Sequence, residues 1–153
     1  MNMNTPEAYA AKAKDLFLSG YNCAQAVLLA FDDVTGLDRQ TAARLASSFG
    51  GGMGRLREVC GAVSAAFMVA GLTGGYDDPK AREEKAAHYA EIQALANDFK
   101  QENGSIVCRE LVGLNADGSP VPAPRTAEYY KKRPCADLVA DAARMLALHL
   151  SQR

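Results

Sequence analysis

Four cysteines, Cys23, Cys60, Cys108 and Cys135, set the chemistry that this chain can do. No two of them are spaced as C-x-x-C, so neither a thioredoxin-type dithiol nor a zinc-ribbon knuckle is written in the local sequence. Any shared site must be assembled by the fold. What the four have in common is position. Cys23 follows Asn22 and Cys108 lies three residues after Ser105, both helix-capping residue types. Cys135 follows Pro134, a proline expected at the first position of a helix, and Cys60 immediately precedes an apolar helical segment. A first helical turn carries unpaired backbone N–H groups and the positive end of the helix dipole, which together favour a thiolate. A thiolate is both the attacking species in disulfide exchange and the form that binds metal, so the placement supports either chemistry. Arg55 and Arg57, partly offset by Glu58, single out Cys60 as the expected reactive thiol. Cys23, Cys108 and Cys135 are then the candidates to resolve its disulfide. In the alternative all four ligate a [2Fe–2S] cluster or zinc. Simple use of cysteine as a small core residue would leave the shared position unexplained.

Two other features invite a chemical reading. The run Gly50, Gly51, Gly52, Met53, Gly54, Arg55 suggests a phosphate loop, yet no Lys-Ser/Thr pair follows it and no strand pattern precedes it. A connector whose backbone N–H groups approach a sulfur or an anion is the better expectation. The only histidines are His88, inside a long charged segment, and His149, roughly 20 Å along its helix from Cys135 at 1.5 Å per residue. Neither is placed to serve a cysteine, which argues against a Cys-His hydrolase.

The elements that must position these residues are all helical. Thr5 and Pro6 open a helix with an apolar stripe at Tyr9, Ala13, Leu16 and Phe17. Asn22 with Gln25 forms a capping box before Ala24, Val27, Leu28 and Phe31, and Asp38 caps a helix carrying Ala42, Leu45, Ala46 and Phe49. The segment Gly61 to Leu72 has no polar face and reads as the central helix. Asp78 and Pro79 are expected to start a long helix with a buried stripe of Tyr89, Ile92, Leu95, Ala96 and Phe99, closed by Asn103 and Gly104. Residues 115–125, with Gly118, Pro120, Pro122 and Pro124, read as an exposed extended loop. The last helix presents Leu138, Ala142, Met145, Leu146 and His149 on one face. The expected fold is therefore all-α: one domain over residues 1–153, a bundle of about six to seven helices around residues 61–72.

Seventeen basic against 18 acidic residues, with no long basic run, argue against nucleic acid as a partner. Residues 1–13 lack the apolar core of a secretory signal, and the longest apolar stretch is far short of a membrane span. A cytoplasmic location without membrane attachment is the expectation, and there four thiols are redox or metal groups rather than permanent disulfides. The partners this allows are a redox protein or a small thiol, with a homodimer also open.

Several segments taken together resemble a known family: Asn22-Cys23-Ala24-Gln25-Ala26-Val27, Phe49-Gly50-Gly51-Gly52-Met53-Gly54-Arg55, Glu58-Val59-Cys60-Gly61-Ala62-Val63-Ser64, Cys108-Arg109-Glu110-Leu111 and Pro134-Cys135. Their order and context are similar to those of the C-GCAxxG-C-C family of redox-active proteins. The chain departs from the family's pattern at Ala65, where a glycine is expected, and at Val59 before the cysteine. The resemblance implies a helical domain with a four-cysteine redox function, that of a thiol-dependent oxidoreductase. A related domain accompanies split-Soret-type cytochromes, which keeps an iron–sulfur centre as the alternative. No C-x-x-C-H motif occurs, so covalent haem does not carry over.

Overall fold

The computed structural model describes residues 3–153, so Met1 and Asn2, which open the signal-free stretch expected at 1–13, lie outside the described residues. The described residues contain nine α-helices and no strand. α1 spans Pro6–Leu18, α2 Cys23–Ala30, α3 Asp32–Thr35, α4 Arg39–Ala46, α5 Gly61–Gly74, α6 Arg82–Asn103, α7 Cys108–Val112, α8 Ala127–Lys132 and α9 Cys135–Ser151. The all-α expectation holds. The number exceeds six to seven because α3 and α8 are short turns of four and six residues, too short for hydrophobic periodicity to register.

The caps form where side-chain chemistry demands them. Thr5 accepts from the Ala8 N–H, Asn22 and Gln25 close a reciprocal capping box, and Asp38 accepts from the Thr41 N–H. α6 differs from expectation. Asp78 Oδ1 accepts from the Lys80 N–H, so its side chain closes a turn and the helix begins only at Arg82.

α1 and α9 make the most extensive helix pair, and α2 packs against α1, α4, α5 and α9. Ala24, Ala26, Val27, Leu28, Leu29 and Ala30 are all buried, so α2 is enclosed on every side rather than amphipathic. It shares the centre with α5, whose first turns are buried through Ala66 and whose Leu72 emerges into solvent. Tyr9 stacks on Phe31 with ring centroids 4.3 Å apart, joining α1 to the end of α2. Two expected core positions face outward, Leu45 on α4 and Tyr89 on α6. Tyr89 instead pairs its hydroxyl with Tyr76 at 3.0 Å. Among the described residues no helix is long and apolar enough to cross a membrane.

Candidate functional site

The connection from α4 to α5 carries the most unusual backbone of the molecule. Gly51, Gly52, Met53, Gly54 and Arg55 stand at φ of +66°, +68°, +67°, +58° and +67°, and Arg57 at +61°. Five successive residues thus form a left-handed turn, a conformation that costs L-residues roughly 1–2 kcal/mol each. Glycines at 51, 52 and 54 remove most of that cost, while Met53, Arg55 and Arg57 bear it. Hydrogen bonds from the Arg57 and Glu58 N–H groups to the Gly51 and Gly52 carbonyls hold the turn, at 3.1 and 2.9 Å. Strain of this kind persists where a site requires the geometry. Here the requirement is close approach to sulfur. A Cβ on Gly52 would lie 2.6 Å from the Cys108 Cβ, and one on Gly61 would lie 2.6 Å from both Cys23 Sγ and the Phe49 carbonyl oxygen.

A short antiparallel bridge, Val59 to Val107, ties the Cys60 segment to the Cys108 segment. The Cys60 N–H donates to the Ile106 carbonyl at 2.8 Å and the Cys108 N–H to the Glu58 carbonyl at 2.6 Å. Ser105 sets this up by accepting from the Val107 N–H while donating to Glu110, so it shapes the turn ahead of α7 and does not cap the helix. Because side chains alternate along paired strands, Cys60 and Cys108 fall on the same side of the bridge.

All four cysteines line one cavity of about 650 Å³. They are free thiols, and each sits where a helix starts: Cys60 at the N-cap of α5, Cys23, Cys108 and Cys135 at the first residues of α2, α7 and α9. Pro134 is the N-cap of α9 rather than its first helical residue. The electrostatic consequence expected from these positions does not follow. Burial pushes the thiols of Cys23, Cys60 and Cys135 up, Cys135 to about 11. Backbone N–H groups do act in the opposite sense, that of Gly51 in the glycine turn and those of Ala24 and Gly61 at helix starts on Cys23, and those of Val63 and Ala62 on Cys60. Desolvation outweighs them. Cys60 is only 6 % exposed, and a negative charge on Cys23 raises it further. A charge on Cys108 weighs on all three of the others.

The arginine expected to serve Cys60 serves Cys108. Arg57 is 5 % exposed, and its Nη1 donates to Cys108 Sγ at 3.7 Å. Among the described residues it has no carboxylate within salt-bridge distance. The left-handed turn explains the redirection, since positive φ at residues 55 and 57 sends the chain back on itself before Val59 enters the bridge.

Two further cavity residues, Arg125 and Arg133, carry no signal that sequence reading could use. Arg125, at the end of the proline-rich loop, donates to the Phe17 and Tyr21 carbonyls at 2.8 Å each and lies 4.1 Å from the centre of the Phe17 ring. It folds that loop over the cavity as a wall, with Pro120 and Pro122 lining the interior. Arg133 lies over the Tyr129 ring at 4.4 Å. Neither histidine lines the cavity; His149 faces Glu91 at 3.7 Å, and the Nδ1 of His88 is buried without a partner among the described residues. As to metal, no three His, Cys, Asp or Glu side chains among the described residues are gathered in a group able to hold an ion. The four thiols share a cavity but do not fit a resident metal centre as arranged.

A family model described as "Putative redox-active protein (C_GCAxxG_C_C)" matches residues 21–148, which takes in all four cysteines and the glycine turn. No curated protein and no solved structure matches the chain significantly.

Proposed function

The chain belongs to the C_GCAxxG_C_C family, and from that membership we propose that it exchanges electrons by thiol/disulfide chemistry in the four-cysteine cavity, with Cys108 as the first sulfur to react. The observation that carries this reading is the contact of the buried Arg57 guanidinium with Cys108 Sγ. A sulfur with a cationic hydrogen-bond donor has a partner for the negative charge that attack requires. Cys60, as buried as Cys108, has no such donor among the described residues.

The step balances as follows. The Cys108 thiolate attacks one sulfur of a low-molecular-weight disulfide; a mixed disulfide forms, the substrate's S–S bond breaks, and the first half leaves as a thiolate. Cys23 then attacks the Cys108 sulfur, an internal disulfide forms, and the second half leaves. Two electrons pass from the protein dithiol to the substrate, and the two thiol protons end on the two released thiols. A different thiol compound runs the same steps backwards to restore the dithiol. Cys23 is assigned as the resolving thiol because it lines the same cavity as Cys108, at the first residue of α2.

Mass spectrometry of the reduced, anaerobic protein after exposure to a small disulfide tests this. A Cys23→Ser variant accumulates the mixed disulfide on Cys108, and Cys108→Ser forms no adduct. A first adduct on Cys60, or stoichiometric iron or zinc retained through anaerobic purification, overturns the assignment.

A further inference from the structure

The charge of the cavity lining is one-sided. Arg55, Arg57, Arg125 and Arg133 all line it, and no Asp or Glu does, in a chain whose acidic residues outnumber its basic ones. Two of the four guanidinium groups are engaged in holding the wall. Arg55 donates to the Ser119 carbonyl at 2.5 Å and faces Asp117 at 3.8 Å, and Arg125 holds the Phe17 and Tyr21 carbonyls. Arg57 and Arg133 are different. Among the described residues the Arg57 guanidinium has Cys108 Sγ as its one hydrogen-bond acceptor, and Arg133 has the Tyr129 ring and no ion pair or side-chain hydrogen bond. Asp117, whose carboxyl is also held down by the Arg57 charge, is turned to Arg55 and mostly in solvent. A buried guanidinium without a counter-charge is costly unless something anionic completes it.

We infer that the cavity binds a small organic anion, a carboxylate-bearing disulfide or thiol, with its carboxylate held by Arg57 and Arg133 and its sulfur presented to Cys108. The inference rests on the redox reading of the site for its sulfur chemistry and on the arginines alone for its charge. Both arginines line the same cavity, Arg57 against Cys108 Sγ and Arg133 two residues before Cys135 at the start of α9. The remaining walls, Phe17, Leu111, Leu138 and Val139 with the loop prolines, suit the apolar part of such a molecule. The volume of about 650 Å³ lies within the range of small-molecule sites. An orienting pair of arginines beside a reactive sulfur also gives selectivity, because a cationic disulfide of the same size would meet like charge.

Three probes separate the alternatives: oxidised glutathione, which is anionic, bis(2-hydroxyethyl) disulfide, which is neutral, and cystamine, which is cationic. The reduced protein reacts fastest with the anionic probe, by about tenfold over the neutral one, the scale of one charge-assisted contact. Arg133→Gln brings the ratio of the anionic to the neutral rate down toward one, a ratio that a general loss of thiol reactivity does not move. Binding is measured separately with S-methylglutathione, a thioether that cannot exchange, as a rise in thermal midpoint that Arg133→Gln abolishes. Failure of the thioether to bind the wild-type protein overturns the inference whatever the disulfides do. Binding of the thioether with no exchange by any disulfide keeps the anion site and overturns the redox reading, while equal rates with all three probes overturn the charge selectivity.

Discussion

At the level of single side chains, the proposed order of reactivity rests on the arginine beside Cys108. Arg57→Met keeps much of the volume and removes the charge. Loss of one charge-assisted contact slows alkylation of Cys108 by about tenfold, whereas Arg57→Lys, which keeps the charge but not the planar fork, slows it less. The same Met variant does not lower the thermal midpoint, because replacing an unpaired buried charge with an apolar group is neutral or stabilising. A purely structural arginine would show the reverse, a lower midpoint with unchanged alkylation, and measuring both on one sample decides the matter. The cysteines themselves were legible in the sequence, as was their shared place at helix starts. The pairing of arginine with sulfur was not. Local spacing puts Arg57 three residues from Cys60, but the hydrogen bond runs to a sulfur 51 positions away, and the desolvation that raises Cys60 depends on the packed core. Helix-start N–H groups are a local property that sequence reveals. Burial is a global one that it does not.

At the level of elements, the glycine turn and the start of α5 act as one device that brings backbone against sulfur. At Gly61 the backbone is ordinary helix, and what forbids a side chain is space, since any Cβ meets Cys23 Sγ and the Phe49 carbonyl. Gly61→Val therefore destabilises by ~1–3 kcal/mol through overpacking and displaces Cys23. Gly52→Ala combines a clash against Cys108 with a positive φ and alters Cys108 reactivity as well. Gly36 is the control: it has φ of +70° with nothing within 4 Å, so Gly36→Ala costs about 1 kcal/mol of backbone strain and leaves thiol reactivity as it was. Chemical denaturation together with site-specific alkylation on the three variants reads these effects apart; thiol reactivity unchanged in Gly61→Val means that the close approach does not position the sulfurs. Sequence reading anticipated backbone near sulfur in the glycine run. It could not anticipate a left-handed turn that includes Met53, Arg55 and Arg57, because those residue types disfavour the conformation and only the surrounding contacts impose it. The proline-rich loop was legible as a loop, yet its role as a cavity wall depends on Arg125 reaching carbonyls more than 100 positions earlier.

At the level of the whole molecule, the buried acids tie stability to alkaline pH. The thiols of Cys23, Cys60 and Cys135 and the hydroxyl of Tyr9 all titrate higher in the folded protein than in an unfolded chain. For Tyr9 the main cause is burial, followed by the 2.7 Å hydrogen bond that its hydroxyl donates to Asp33, and its value is pushed up to about 12. The neutral form of each group belongs to the native state, so the stabilisation is complete below the unfolded value and is lost as pH rises toward the folded one. The unfolded chain releases its thiol protons from about pH 8.5 and its tyrosine protons from about pH 10, while the native protein retains them. Unfolding free energy therefore falls with pH, by about 1.4 kcal/mol per pH unit for each proton that only the native state keeps. Two segments of decline follow, a first from about pH 8.5 governed by the cysteines and a steeper one from about pH 10 in which Tyr9 joins. Tyr9→Phe removes the tyrosine contribution above pH 10 while costing about 1 kcal/mol at neutral pH for the lost hydrogen bond, and it leaves the first segment intact. Cys23→Ser weakens the first segment and leaves the tyrosine contribution to the second. Urea unfolding of the reduced protein at half-unit intervals from pH 7 to pH 11 measures both; a wild-type stability that stays level across that range would show that these groups are not held neutral by the fold.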